Sequence, residues 1–273
     1  FHSASCAARN WIIVAGDAAF FVVYSFLHFG GWLAAACLGL FALELGTSRL
    51  YRKSSPWCIF GVLQAIAILA FFKYTNFFIE TWNEWTGLVG RQPVGLVTGL
   101  FLPLGVSFFT FEFIHYAVDS YRGTISGSRL DRYAAFILFF PSMVAGPIKR
   151  FGDFERKLVA SRLGWTLAER GITRILVGLV KKQVFADTAA LWADQLQTSA
   201  AYSSPRLVLV LWVLAYGQKI YFDFSGYSDI AIGSAYLFGV EIPENFDFPY
   251  LRSSITEFWR HWHISLYRWI LDY

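Results

Sequence analysis

Four stretches of this chain are continuously apolar over lengths that match a bilayer: Trp11–His28, Gly31–Leu45, Trp57–Lys73 and Val94–Val118. A helix needs roughly 20 mostly apolar residues to cross a hydrocarbon core of about 30 Å. Three further runs, Ile172–Leu191, Leu207–Tyr221 and Ile230–Val240, extend the pattern with polar residues at their edges. The runs are continuous rather than alternating, which argues against a β-barrel. Composition agrees. Of 273 residues, 56% are hydrophobic, 19% aromatic and 15% charged, against about 25% charged in an ordinary soluble domain. The mean hydropathy is +0.46. Disorder, collagen, coiled coil and a basic nucleic-acid-binding domain do not fit these numbers. The expected fold is all-α: a polytopic, multi-pass transmembrane helical bundle whose main partner is the lipid bilayer, with no nucleic acid bound.

The net charge of +4 matters less than its placement. Arg49, Arg52 and Lys53 follow the second apolar run, and Arg122, Arg129 and Arg132 follow the fourth. The segment from Lys149 to Lys182 holds nine Lys and Arg against three acids. Basic short loops face the cytoplasm, so these loops are predicted to be cytoplasmic. Between two of them lies Tyr133–Ile148, only 16 residues long and interrupted by Pro141, Gly146 and Pro147. A re-entrant hairpin returns both ends to one face and is tolerated where protein buries it; a short tilted span is the other reading. The polar stretch 152–173 reads as an interfacial amphipathic helix. Cys6, Cys37 and Cys58 lie in or beside apolar runs without metal spacing, so no metal site is expected. The chain opens on Phe1 and stops at Tyr273 inside a dense motif, which reads as a single membrane-embedded domain, 1–273, truncated at both ends.

Ionisable residues inside a membrane are functional candidates by default. Glu112 and His115 share a helix face three residues apart, a spacing that suits a metal ligand pair or a structural hydrogen bond. The run Tyr221–Asp229 carries Asp223, Ser225, Gly226, Tyr227, Ser228 and Asp229 and predicts a broken helix. It reads equally as a polar knot between helices or as a cavity wall. No cation lies near these two carboxylates in sequence. The segment Glu244–Tyr250, which includes Asn245 and is punctuated by Pro243 and Pro249, reads as a loop that orients the C-terminal segment. Then come Phe258, Trp259, Arg260, His261, Trp262 and His263, with Ser265 two residues on. Burial beside apolar rings keeps an imidazole neutral near pH 7, which suits a general base. It equally describes a histidine that only packs.

Taken in order, several of these segments are familiar. Residues 103–111 (PLGVSFFTF), 116–123 (YAVDSYRG), 139–148 (FFPSMVAGPI), 221–233 (YFDFSGYSDIAIG), 244–246 (ENF) and 257–265 (EFWRHWHIS) together resemble the membrane-bound O-acyltransferase family, in its exopolysaccharide-acetylating branch. The resemblance runs from about Trp11 to the end. It implies a bacterial inner-membrane enzyme that moves an acyl group, acetyl above all, from a cytoplasmic thioester such as acetyl-CoA. The acceptor it implies is a hydroxyl of an extracytoplasmic polysaccharide such as alginate, or a periplasmic acetyltransferase partner. No tightly bound cofactor is implied. The essential histidine of the Trp-His-x-Ser segment falls on His263, and the family's second histidine would lie beyond residue 273. His261, Tyr267 and Leu271 stand where relatives usually have Arg, Ser and Arg. Supporting or cavity-lining roles are expected for Trp259, Trp262, Ser265, Asp223, Ser225, Tyr227, Asn245, Pro141 and Pro147. Lys149, Arg150, Lys181 and Lys182 could draw the coenzyme's phosphates or serve topology alone. A transporter using Glu112, His115, Asp223 and Asp229, and a non-catalytic scaffold for a periplasmic acetyltransferase, are the rival readings.

Overall fold

The computed structural model of the protein describes residues 6–29, 39, 42–44, 46–51, 54–88, 90–97, 105–125, 129–161, 164–203 and 206–273. Among them the structure is helical, with one isolated antiparallel bridge, Phe246 to Trp262. The second apolar run, Gly31–Leu45, lies almost wholly outside the described residues. The chain divides into two compact units, Ser3–Met143 with Arg150–Gly152, and Val144–Lys149 with Asp153–Tyr273.

In the first unit α1 (Cys6–Phe29) and α2 (Ser55–Gly87) follow two of the predicted runs. α2 is long and apolar enough to cross a membrane, with a mean hydropathy of 1.9 over its best window. It runs well past the predicted end at Lys73. Pro56 sits in its first turn, where a missing N–H costs nothing. The fourth run was expected to be helical from Val94, but residues 91–97 have no regular secondary structure and helix α3 (Val106–Tyr121) starts later. The reason is local. Asn83 accepts from the N–H of Val94 at 2.7 Å and donates to its C=O at 2.8 Å. Asn76, seven residues earlier on α2, does the same for Val97 at 3.0 and 3.2 Å. Two amides two helical turns apart therefore hold the backbone of this segment against α2.

Helix α4 (Leu130–Leu138) ends at Phe139, and one further turn, α5 (Phe140–Met143), follows. Phe139 leaves the helical region (φ −53°, ψ 94°), Pro141 has no N–H to donate to the preceding turn, and the N–H of Phe140 donates to Asp17 Oδ1 on α1 at 3.3 Å. Around it, Tyr116 and Tyr133 stack with centroids 4.0 Å apart, and Phe151 N–H donates to His115 Nε2 at 3.0 Å. His115 thus accepts from the first backbone N–H of the helix that begins at Phe151. The carboxylate of Glu44 accepts from Tyr51 (2.7 Å), Tyr133 (3.2 Å) and Gln64 (2.9 Å).

In the second unit α7 (Trp165–Val180) follows the short amphipathic helix α6 (Phe151–Ala160). A π-helical turn over Lys181–Ala186 leads into α8 (Asp187–Ser203), and α9 (Arg206–Leu237) follows. The predicted break at Tyr221–Asp229 is absent: α9 is one 32-residue helix joining both runs assigned there. Gly226 is present for a different reason. A Cβ on Gly178 would lie 2.5 Å from the Gly226 carbonyl oxygen, and one on Gly233 2.5 Å from that of Gly171. The reciprocal distances are both 2.8 Å. Two glycines seven apart on each antiparallel helix therefore let the backbones touch, as small residues do between membrane helices.

Along α9 the two ends face different surroundings. Leu207, Val210, Val213 and Leu214 are exposed, whereas Ser225, Ser228, Asp229, Ile232 and Ala235 are buried. Its apolar portion is also long enough to cross a membrane.

Replacing Gly178 with Ala should destabilise the protein by about 1–3 kcal/mol, because a backbone oxygen cannot step aside. Gly217→Ala, whose Cβ meets nothing nearer than 3.4 Å, should be neutral or stabilising. Thermal unfolding of the detergent-solubilised protein, followed by tryptophan fluorescence, distinguishes the two; equal melting points would refute the contact.

Candidate functional site

The glycine contact places charged side chains of α7 against α9. Arg174 and Lys181, seven residues apart, both reach Asp229: Arg174 Nε to Oδ1 at 2.5 Å and Lys181 Nζ to Oδ2 at 2.6 Å. Lys182 pairs with Asp223. The carboxylates to which the sequence reading assigned no cation therefore have three in space. Sequence reasoning missed this, although the matching seven-residue spacings of Gly171/Gly178, Arg174/Lys181 and Gly226/Gly233 carried the signal. Lys181 and Lys182 are occupied by carboxylates, and Lys149 is buried with its ammonium 5.7 Å from the Phe154 ring. Asp223 stands half-exposed with Lys182, on the wall of neither the apolar cavity at His263 nor the charged cavity at Asp229.

The loop after α9 bridges to the C-terminal motif. Arg174 also grips both oxygens of Glu244, with Nη1 to Oε1 at 2.8 Å. The next residue, Asn245, is 1% exposed. Its amide donates to Ser228 Oγ at 3.2 Å, its Oδ1 accepts from Ser265 Oγ at 2.7 Å, and its C=O accepts from the N–H of Ile264 at 2.9 Å. Asp247 N–H donates to the C=O of His261 at 3.1 Å. The loop thus lies as a short antiparallel partner beside residues 261–264. Ser265 Oγ accepts in turn from the N–H of Ile148, next to Pro147, at 3.0 Å. Tyr227 reaches the same segment, its hydroxyl engaging the backbone of Ala145.

Helix α10 (Ile255–His261) is started by Ser254, whose Oγ accepts from Glu257 N–H at 3.2 Å, and a second helix, α11 (Ile264–Asp272), begins after His263. Between them Trp262 is extended and His263 adopts φ 44°, ψ 55°. A left-handed non-glycine residue costs about 1–3 kcal/mol and persists where its surroundings over-determine it; here Ile264 N–H on Asn245 and Ser265 Oγ on Asn245 do so. The imidazole projects from this turn. Its ring meets Phe224 edge-on with centroids 4.7 Å apart. It also lines an apolar cavity of about 480 Å³ with Trp259, Trp262, Leu266, Tyr267 and Ile270. Nε2 is buried with no hydrogen-bond partner among the described residues, and burial pushes the ring's pKa down to about 4. His261 differs: its Nδ1 lies 2.7 Å from the Glu257 carbonyl oxygen.

A second, charged cavity of about 380 Å³ is lined by Arg174, Lys181, Tyr221, Ser225, Asp229, Asn245 and Phe246. Ser225 Oγ, fully buried, has no partner among the described residues. Of the expected site residues, Trp259, Trp262, Ser265, Asn245, Ser225, Tyr227 and Pro147 share the second unit with His263. Pro141 belongs to the first.

The sequence model of the membrane-bound O-acyltransferase family (MBOAT) matches residues 59–273. The chain belongs to that family. It is 43% identical over 224 residues to the "Probable alginate O-acetylase AlgI" of Pseudomonas aeruginosa, covering 81% of this chain and 42% of that protein. Similarity extends to the "Peptidoglycan O-acetyltransferase" of Helicobacter pylori (33% over 260 residues; 85% and 48%) and the "Teichoic acid D-alanyltransferase" of Bacillus subtilis (31% over 196 residues; 69% and 49%). The chain spans about half the length of the curated relatives it matches.

Asn245→Ala would strand the buried hydroxyls of Ser228 and Ser265 and the polar backbone behind them. A loss of about 1–3 kcal/mol is expected, read as a lower denaturation midpoint. Asn245→Asp keeps two acceptors but loses the donor to Ser228 and buries a charge, so it should rescue little.

Proposed function

We propose that this chain is the membrane-embedded core of a bacterial O-acyltransferase, a multi-pass protein of the inner membrane. Its donor is a cytoplasmic acyl thioester, acetyl-CoA or an equivalent acetyl carrier. Its acceptor is a hydroxyl of an extracytoplasmic polysaccharide, or of a partner protein that hands the group on. Acetyl is favoured over other acyl groups by the O-acetylase relative at 43% identity. Residues 133–148 form a re-entrant element in this reading; the irregular backbone at Phe139 and Pro147 supports it.

The observation that carries the proposal is His263 itself: its ring lines an apolar cavity from a strained turn, and its buried Nε2 has no hydrogen-bond partner among the described residues. Neutral at physiological pH, Nε2 takes the proton of the acceptor hydroxyl as that oxygen attacks the thioester carbonyl. The tetrahedral adduct then expels the thiolate, which recovers the proton from the imidazolium. One C–O bond forms, one C–S bond breaks, and the base is regenerated. Trp259 and Ile270, exposed in the free protein, exclude water together with Trp262 once substrate covers them, which limits thioester hydrolysis. A transporter would need carboxylates free to exchange ions, and Asp229 is held by two cations instead.

The test is transfer by the full-length protein in proteoliposomes, with radiolabelled acetyl-CoA on the side of the basic loops and alginate oligosaccharides, with a periplasmic fraction, on the other. His263→Ala should lower transfer by about 10²–10⁴-fold with the fold intact; wild-type rates in that variant would overturn the assignment. The neutral ring is the active form, so kcat/KM should stay level from pH 8 to about 5. It should then fall as His263 protonates near pH 4. An acid limb at about 6.5, the ordinary histidine value, would mean that the ring is hydrated.

A further inference from the structure

The left-handed turn that aims His263 is held from one side by Asn245, and Asn245 is itself held from further away. Its neighbour Glu244 is gripped by the guanidinium of Arg174, while the Nε of the same group is bound to Asp229 on α9. We propose that Arg174 is a positioning residue for His263, acting through Glu244 and Asn245 and not by contact with substrate. The proposal rests on the reading of His263 as the proton acceptor.

Three features favour a geometric role over a merely stabilising one. Glu244 is half-exposed, and ion pairs in that setting add little energy. Arg174 uses a planar fork that spans two carboxylates on different elements, a geometry that a lysine cannot reproduce. The grip also ends one residue from Asn245, whose carbonyl and side chain fix both residues after His263 in sequence. Removing the fork frees Glu244 and lets residues 244–247 shift along the 261–264 segment. The strained conformation of His263 has then lost part of what over-determines it. Asp229, meanwhile, keeps Lys181 and is not left as an unpaired buried charge.

The test uses the full-length protein, with acetyl-CoA as donor and alginate oligosaccharides as acceptor, measuring kcat and KM separately. A displacement of about 1 Å at a reacting group can cost 10²-fold. Arg174→Gln should therefore lower kcat about 10- to 100-fold with KM for acetyl-CoA within about twofold. Arg174→Lys, which keeps the charge and loses the fork, should recover little of it. In an Asn245→Ala background, which keeps the backbone carbonyl on Ile264 but loses the side-chain link to Ser265, Arg174→Gln should cost less than it does in the wild type, because part of the path is already cut. Independent, multiplicative losses in that cycle, or an unchanged kcat in Arg174→Gln, would overturn the proposal. Should Arg174→Gln fail to fold, Glu244→Ala breaks the same link while leaving Asp229 and its cations in place, and should show the same kcat loss. His263→Ala is run alongside: wild-type activity there refutes the base assignment itself, whereas inactivity there with an active Arg174→Gln refutes only the positioning role.

Discussion

Everything distinctive about the second unit follows from two helix backbones touching. Lipid offers no hydrophobic drive for helices to associate, so close packing and polar contacts must supply it. Gly171 and Gly178 on α7 meet Gly233 and Gly226 on α9 at distances that no Cβ would permit. Once the helices lie that close, side chains seven apart on α7 converge on one carboxylate of α9, and Asp229 receives both Arg174 and Lys181. The π-helical turn beginning at Lys181 shifts the helix phase just there; such turns recur at functional positions. A carboxylate that would be prohibitive alone inside an apolar bundle becomes a fixed anchor.

From that anchor, order passes outward through backbone rather than through bulk packing. Arg174 ties the loop at Glu244, Asn245 joins the loop to Ser228, Ser265 and Ile264, and the resulting turn holds His263 in a conformation its own side chain disfavours. The imidazole gains an unpartnered nitrogen, aromatic walls and a low proton affinity from one arrangement. Under the proposed reading, the unpartnered and neutral nitrogen is what a proton acceptor needs, while the low proton affinity weakens it as a base. The polar machinery occupies the buried half of α9, while the other half presents Leu207, Val210 and Val213 outward. One helix thus serves both as membrane-compatible surface and as scaffold.

Much of this was legible in the amino-acid order. Apolar length marked α1, α2 and the first half of α9, and the Trp-His-x-Ser segment singled out His263 before any geometry. The loop from Glu244 was expected to orient the C-terminal segment, and it pairs with residues 261–264. The misreadings have a common physical origin. Residues 94–97 open an apolar run read as helical but are not in a helix; Asn76 and Asn83 satisfy the backbone of Val97 and Val94 from α2. The run Tyr221–Asp229 looks too polar to stay helical but does so, because its charges are neutralised and its glycine is used for contact.

Sequence alone determined the class of solvent, the helical character and the family, since these depend on apolar length and on short motifs read along the chain. Tertiary structure alone decided which charges meet, which backbone segment pairs with which, and which way His263 points. Those outcomes depend on partners 55 to 70 residues apart, as with Arg174 to Asp229 and Glu244. No local propensity encodes such pairings; they exist only once glycine lets two helices approach.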